Sequence, residues 1–516
     1  MIKKTTTLLL LILIIASFFR FANLKSIPPG LYPDEAMNGN NALFALENND
    51  FRLYYPENNG REGLFINIQA LFLKFFLHFY QYPQAWMLRI VSAIFGTLTV
   101  LGVFLLIKTV FNNQIALFSS FFLAVSFWHV NFSRIGFRAI LVPFLLSWSL
   151  YWLIKAFQNK KIGSAILSGI FFGLGFHTYI AFRMAPIIAL VILIYQFVIF
   201  KRQKELKSFF KIFLIWAVFA IIAALPIGLY FLDHPDDFMG RATQVSIFEK
   251  PNPLWEFIKS FVKTLFMFNF VGDCNFRHNF SCKPELDFIA GAFFLIGFYL
   301  TIKKIIKKQF DFASISLIIW FLAMLMPVAF TYEGVPHALR SIGLIPCVFA
   351  FVGIGASKIY QLAQQTFSIK TSRYFILTLL FISLAINYNL YFLKWANDQR
   401  TYYAFNANYY ALGNYLNQLP QEQLKYILVN ASGVLVNNIP MPAQTVMFVT
   451  NTYSPQNQQK RNIFYLLPSD LDKINNSQPF ILIPLEKDEQ TKNLILQKFP
   501  NLIFEENRDF WIFKSI

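Results

Sequence analysis

Apolar runs of roughly 17–25 residues, the length a helix needs to cross the hydrocarbon of a bilayer, recur from one end of this chain to the other. No soluble chain needs so much apolar surface: 56% of the 516 residues are hydrophobic, only 14% are charged, and Phe alone occurs 63 times. The sequence therefore reads as a polytopic α-helical membrane protein. Eleven spans are expected: Thr6–Ala22, Trp86–Ile107, Ile115–Val130, Ala139–Ile154, Ser164–Ile180, Met184–Phe200, Phe213–Phe231, Phe288–Thr301, Phe312–Phe330, Ile342–Ala356 and Tyr374–Leu393.

The connections between these spans alternate in charge. One set carries Lys108, Lys160 and Lys161, the cluster from Lys201 to Lys211, then Lys303, Lys304, Lys307, Lys308, Lys358, Lys370 and Arg373, with Lys3 and Lys4 ahead of the first span. Positively charged loops stay cytoplasmic, so the N-terminus is expected inside and the C-terminus outside. This explains the net charge of +18 without a nucleic-acid partner. Leu64–Tyr80 and Leu254–Val271 are also apolar but interrupted by charge. Counting either as a crossing would move the basic clusters outside, so both are expected as helices lying in the outer interface. Met1–Ala22 lacks an A-x-A-like cleavage site after its apolar core and reads as an uncleaved first span.

Outside the membrane the expectation is a long first loop (23–85), a middle loop (232–287), short polar turns and a tail. From about residue 397 the tail becomes rich in Asn and Gln and alternates short apolar runs with amphipathic helices. Tyr426–Val429, Ile463–Leu467 and Phe480–Pro484 read as buried strands, and Leu502–Glu505 with Phe510–Lys514 as a closing hairpin. The chain thus divides into a membrane domain, 1–396, and a small extracytoplasmic α/β domain, 397–516. Cys274 and Cys282 share the middle loop, in an oxidising location, where they either form a disulfide or remain two thiols. No zinc-ligand spacing is present.

The polar motifs fall on one face. Pro33-Asp34-Glu35 and Gly60-Arg61-Glu62 lie in the first loop. Ser133-Arg134, Arg138, His177-Thr178-Tyr179 and Arg183 lie in the turns after the third and fifth spans. Asp273, Arg277, His278 and Asn279 end the middle loop; Glu333, His337 and Arg340 follow the ninth span. Adjacent carboxylates at a membrane edge are costly to desolvate and suggest a site. Arg134, Arg138, Arg183 and Arg340 each could snorkel to headgroups, but four arginines at the outer ends of different spans run against the cytoplasmic bias. Converging guanidiniums suit a phosphate, to which arginine offers a planar fork. Taken singly, His177 and His337 read as packing residues before site groups and Arg89 as a structural anchor, while Glu62 and Glu333 read equally as neutralising partners of arginines.

These motifs, in this order, resemble the GT-C membrane glycosyltransferases, in particular the branch with protein O-mannosyltransferases and the lipid A aminoarabinose transferase. The resemblance rests on Asp34-Glu35 in the long first loop, on Met87–Gly96 (MLRIVSAIFG), Ser133–Leu146 (SRIGFRAILVPFLL), Gly272–Asn279 (GDCNFRHN) and Pro336–Pro346 (PHALRSIGLIP), and covers roughly residues 1–356. It implies Asp34 as the catalytic carboxylate, beside Glu35, and places Arg61 where the aminoarabinose transferases carry a phosphate-binding lysine. The chain departs from that branch in reading Arg61-Glu62-Gly63 in place of Lys-Pro-Pro, and in lacking the acid that often follows the Ser-Arg motif. The expected reaction moves a sugar from a polyprenyl-phosphate carrier to a protein, lipid or glycan outside the cytoplasmic membrane, with inversion. Arg61, Arg134, Arg138, Arg183 and Arg340 are the candidate phosphate ligands. No cofactor is assigned; Asp34, Glu35 and Asp273 are the groups that could hold a divalent cation. A transporter or flippase of lipid-linked or anionic solutes is the alternative, but transporters place their charges near the midplane between repeated halves, and neither feature is visible here.

Overall fold

The computed structural model describes residues 2–309 and 311–515, the side chains of 2, 3 and 241–244 aside. Among the described residues, nine helices are long and apolar enough to span a membrane: Lys4–Phe21, Ala85–Val110, Arg138–Asn159, Ile180–Arg202, Leu206–Asp233, Phe288–Ile306, Phe312–Ala329, Ile342–Thr366 and Ile369–Asn397. Each coincides with an expected span, and the chain is a multi-pass membrane protein.

The remaining two expected spans form shorter helices, for local reasons. The third breaks at Ser126 into Asn113–Val125 and Phe127–Phe132. Ser126 leaves the helical region (ψ 125°), and the Phe127 N–H donates to Asn387 Oδ1 at 3.0 Å. The fifth runs only from Ile162 to Gly175, 14 residues, about 21 Å at helical rise against the ~30 Å hydrocarbon. It stops where the Thr178 hydroxyl donates to the Gly175 carbonyl at 2.6 Å, and a 3-10 turn, Ile180–Met184, opens the next span.

The chain forms two compact units, Met1–Ala22 with Ser92–Trp395, and Asn23–Val91 with Ala396–Ile516. In the first, helices approach closely where side chains are absent. A Cβ on Gly297 would lie 1.9 Å from the Phe351 carbonyl oxygen, and one on Gly355 would lie 1.9 Å from that of Phe293. Such small-residue seams are how apolar helices pack without a hydrophobic driving force. Pro253–Phe266 is inverted relative to a soluble helix. Leu254, Trp255, Ile258 and Val262 are exposed while Ser260 and Thr264 are buried, with the Ser260 hydroxyl on the Thr331 carbonyl at 2.8 Å. An outward apolar face suits an interfacial helix, as does Leu64–Phe76 in the other unit, with Leu71 and Phe75 exposed.

In the second unit, the tail folds around a five-stranded sheet in the order Ile463–Leu466, Leu424–Leu428, Phe480–Pro484, Trp511–Lys514, Ile503–Glu506. The first three strands are parallel, with Tyr426 opposite Phe464 and Leu482; the last two close as an antiparallel hairpin with Phe504 opposite Phe513. Helices Ala407–Gln418 and Glu489–Lys498 pack on it, giving buried clusters around Ile427, Ile483 and Leu412 on one side and Leu428, Leu482 and Ile495 on the other. The first loop belongs to the same unit. Its helix Pro33–Asn48 lies against Gln444–Thr450, with Asn40 donating to the Gln444 carbonyl and side chain (3.1 and 2.9 Å) and Thr445 donating to the Leu31 carbonyl (2.8 Å). Gly30 sits at φ +63°, and a Cβ there would meet the Ala407 backbone at 2.5 Å. Only glycine combines that dihedral with that approach.

Candidate active site

Asp34 and Glu35 occupy the first turn of helix Pro33–Asn48, behind a proline that suits the first helical position. The unpaired N–H groups and dipole of that turn favour negative charge, yet the two carboxylates have different surroundings. Asp34 is half-buried; its Oδ2 accepts from the Tyr32 hydroxyl at 2.5 Å and its Oδ1 from Asn58 Nδ2 at 2.7 Å. These bonds fix the carboxylate while leaving it accessible. Glu35 is fully buried and held by Arg89 in a fork, Nε to Oε2 and Nη2 to Oε1, both 3.0 Å. Arg89 also donates to the carbonyls of Pro28 (2.7 Å) and Gly30 (2.9 Å). Glu35 thus anchors the loop that presents Asp34, and its carboxylate is committed to Arg89, which removes it from the expected Asp34, Glu35 and Asp273 cation set. Arg61 is also buried, donating to Asn38 Oδ1 (2.6 Å) and Asn41 Oδ1 (2.7 Å) on the Asp34 helix, from a short ladder in which Arg61–Glu62 pairs with Tyr54–Tyr55. Glu62 is buried beside it.

In the membrane unit the expected arginines separate into two groups. Arg134 is fully buried and donates to the carbonyls of Phe19 (3.0 Å) and Ala22 (2.7 Å), with the rings of Tyr391 and Phe392 within 5.6 Å of its guanidinium. It closes the end of the first span, whose last carbonyls have no partners within their own helix. Arg183 and Arg340 instead line a pocket of about 440 Å³, together with Tyr179, Met184, Phe248, Glu249 and Phe330. Arg183 lies over the Phe238 ring at 3.8 Å and donates to the Phe238 carbonyl at 2.9 Å. Arg340 donates to Thr331 Oγ1 (3.0 Å) and to the Glu333 carbonyl (2.8 Å). Arg138 sits over the ring of Tyr179 at 5.5 Å and donates to the Thr178 carbonyl. All three lie at the ends of spans opposite the lysine-rich connections. The pocket wall is otherwise mostly apolar, so it combines a lipid-like lining with guanidiniums at its rim.

His177 Nε2 meets the Ala223 carbonyl at 2.8 Å and ties two helices together. Glu333 is exposed, and its backbone carbonyl is what receives Arg340. Cys274 and Cys282 form a disulfide that closes the loop holding Arg277, His278 and Asn279, directly after Asp273. Asp273 Oδ2 lies 2.8 Å from His278 Nδ1 and 3.9 Å from His337 Nδ1, and accepts the Ala338 N–H at 2.9 Å. Asn279 Nδ2 bonds the Lys283 carbonyl and Glu285 Oε1, which also receives the Asp273 N–H. Burial, and then the charge of Asp273, push the Glu285 carboxyl well above the ordinary carboxylate range.

Residues 68–230 match the family model for dolichyl-phosphate-mannose-protein mannosyltransferase. By sequence, no curated protein matches the chain. Among solved structures, ArnT from Cupriavidus metallidurans bound to undecaprenyl phosphate superposes with a TM-score of 0.56 at 12% identity, over 99% of this chain and 98% of that one. The chain shares its fold. The oligosaccharyltransferase of Archaeoglobus fulgidus, in its apo form, gives 0.55 at 14% identity over 89% of this chain and 64% of that one. The same organism's AglB, with an inhibitory peptide and a dolichol-phosphate, gives 0.54 at 14% identity over 99% and 74%.

Sequence reasoning missed three polar residues that build this architecture. Asn131 donates to the carbonyls of Arg277 and His278 (2.7 and 3.0 Å). Trp128 Nε1 donates to the Ala338 carbonyl at 3.0 Å. Arg20, inside the first span, donates to the Ala16 and Ala124 carbonyls and lies 2.7 Å from His129 Nδ1. An arginine within an apolar span is itself a signal, since such a charge needs a buried partner.

Proposed function

We propose that this protein is a membrane glycosyltransferase that moves a sugar from a polyprenyl-phosphate carrier to an acceptor on the extracytoplasmic side of the cytoplasmic membrane. The observation that carries this reading is the apolar pocket rimmed by Arg183 and Arg340. An isoprenoid tail suits its wall and a phosphate suits its guanidiniums. The shared fold supports it, since relatives of that fold were solved with undecaprenyl phosphate and with a dolichol-phosphate, and so does the family model over residues 68–230.

In the reaction we infer, the acceptor hydroxyl attacks the anomeric carbon, the bond from that carbon to the phosphate oxygen breaks, and polyprenyl phosphate leaves. The proton of the hydroxyl goes to Asp34, whose carboxylate is positioned by Tyr32 and Asn58, and a single displacement inverts the anomeric centre. Negative charge grows on the departing phosphate, and preorganised guanidiniums stabilise it at that stage more than in the bound donor. Arg138, Arg183 and Arg340 are assigned that role. Glu35 and Arg61 hold the Asp34 segment in place.

The test is transfer from a panel of polyprenyl-phosphate sugars in membranes that contain the chain, beside the Arg183→Ala and Arg340→Ala variants. Donor binding and turnover should both fall in the variants. Full donor binding and turnover in both would remove the pocket from the reaction. Passage of intact donor between leaflets, with no glycosidic bond broken, would support a flippase instead.

A further inference from the structure

We propose that Asp273, His278 and His337 form a binding site for a divalent transition ion of the zinc type. Each residue offers one ligand atom, and the three atoms lie within 4.8 Å of one another. Ligand atoms held 2.0–2.2 Å from a common ion stand roughly 3–4 Å apart, so small side-chain rotations bring the set to coordination distance. His337 Nδ1 faces the Arg340 N–H at 3.4 Å; Asp273 Oδ2 receives the Ala338 N–H and His278, and a separation of 3.9 Å, too long for a direct hydrogen bond, divides it from His337 Nδ1. It is a normal separation for two ligands of one ion. The imidazole ring centroids lie 4.8 Å apart, with the rings tilted by 40°. An entering ion takes the place of the contact between His278 and Asp273, as ligands must bind deprotonated.

The donor set selects the ion. Two imidazoles and one carboxylate match zinc sites that keep a further position open, whereas magnesium and calcium take oxygen ligands. The surroundings are built to hold the ligands still. Asn131 grips the carbonyls of Arg277 and His278, the Asn275 N–H holds Asp273 Oδ1 at 2.8 Å, Trp128 fixes the Ala338 carbonyl, and the Cys274–Cys282 disulfide brackets His278. These contacts fix the backbone that carries His278 and Ala338 and one oxygen of Asp273, the kind of support a metal site needs. The ion would join the loop of residues 272–286 to the segment 331–341, which carries Arg340.

The experiment needs no donor substrate, so it stands or falls separately from the proposed reaction. Full-length, tag-free protein in detergent is stripped with chelator, exposed to zinc alone, desalted and assayed by elemental analysis. Wild type should retain about one equivalent and melt at a higher temperature after loading. His337→Gln and the His278→Ala/His337→Ala pair should lose at least tenfold in retained zinc, with the disulfide and the melting temperature of stripped protein unchanged. Should the paired variant fail to fold, cobalt loading of wild type replaces it. Visible bands typical of four- or five-coordinate cobalt with imidazole ligands support the site, and a spectrum of hydrated cobalt overturns it. Wild type that retains no zinc, or a folded paired variant that retains as much as wild type, also overturns it.

Discussion

Replacing Arg89 with Met should destabilise the protein more than any surface change, and the structure sets the size. Arg89 and Glu35 are both fully buried, and the guanidinium makes two bonds to the carboxylate and two to the carbonyls of Pro28 and Gly30. Arg89→Met leaves a carboxylate in a dry interior, and breaking one side of such a pair costs about 3–5 kcal/mol. Two orphaned carbonyls raise that figure, and protonation of Glu35 limits it. The double variant Arg89→Met/Glu35→Leu removes both charges and should recover much of the loss, since apolar replacements of buried pairs are often close to neutral. Denaturation in mixed micelles, with proteolysis of residues 23–91 as a second readout, measures the cycle. If the double variant also keeps sugar transfer, Glu35 is an anchor and not a base. A single variant within about 0.5 kcal/mol of wild type, or a double variant no better than the single, would refute the anchoring argument.

Asp34→Asn keeps size and hydrogen bonding but cannot take the acceptor's proton, so transfer should fall about 10²–10⁴-fold with donor binding retained; wild-type transfer would end its assignment as the base. Arg340→Lys keeps the charge but loses the fork and should reduce turnover less than Arg340→Ala, which should cost about 3–4 kcal/mol of barrier; equal rates in single-turnover assays would exclude the role. Gly30→Ala meets both the φ of +63° and the Ala407 backbone, so it should destabilise by more than the ~1–2 kcal/mol of the dihedral alone, read in the same mixed-micelle denaturation. A melting curve that matches wild type would contradict that packing.

Spans, strands and the outline of the tail were legible because each is written locally. An apolar run of membrane length and a run such as Phe480–Pro484 declare themselves without knowledge of a partner. The break at Ser126 was hidden because Asn387, 260 positions away in the chain, is what satisfies the freed Phe127 N–H. The packing of the first loop with the tail was equally invisible, since Asn40 meets Gln444 across 404 positions and neither residue signals the other. At the candidate site, residue type was legible and commitment was not. Asp34 and Glu35 are neighbours with the same chemistry, and only the position of Arg89 shows that one is spent on structure. Arg134 and Arg340 look alike in sequence, yet one closes a helix end and the other rims a pocket. Asn131 and Trp128 act through backbone carbonyls, which leave no pattern in side-chain identity.

The most direct test of the central claim is single-turnover reaction of the purified chain with radiolabelled polyprenyl-phosphate sugars in nanodiscs, with acceptor membranes added. Label should leave the carrier and appear in a new glycosidic bond, free polyprenyl phosphate should form in equal amount, and Asp34→Asn should bind the donor without releasing it. Label that remains on the carrier with every donor tested, although the donor binds, would contradict that claim.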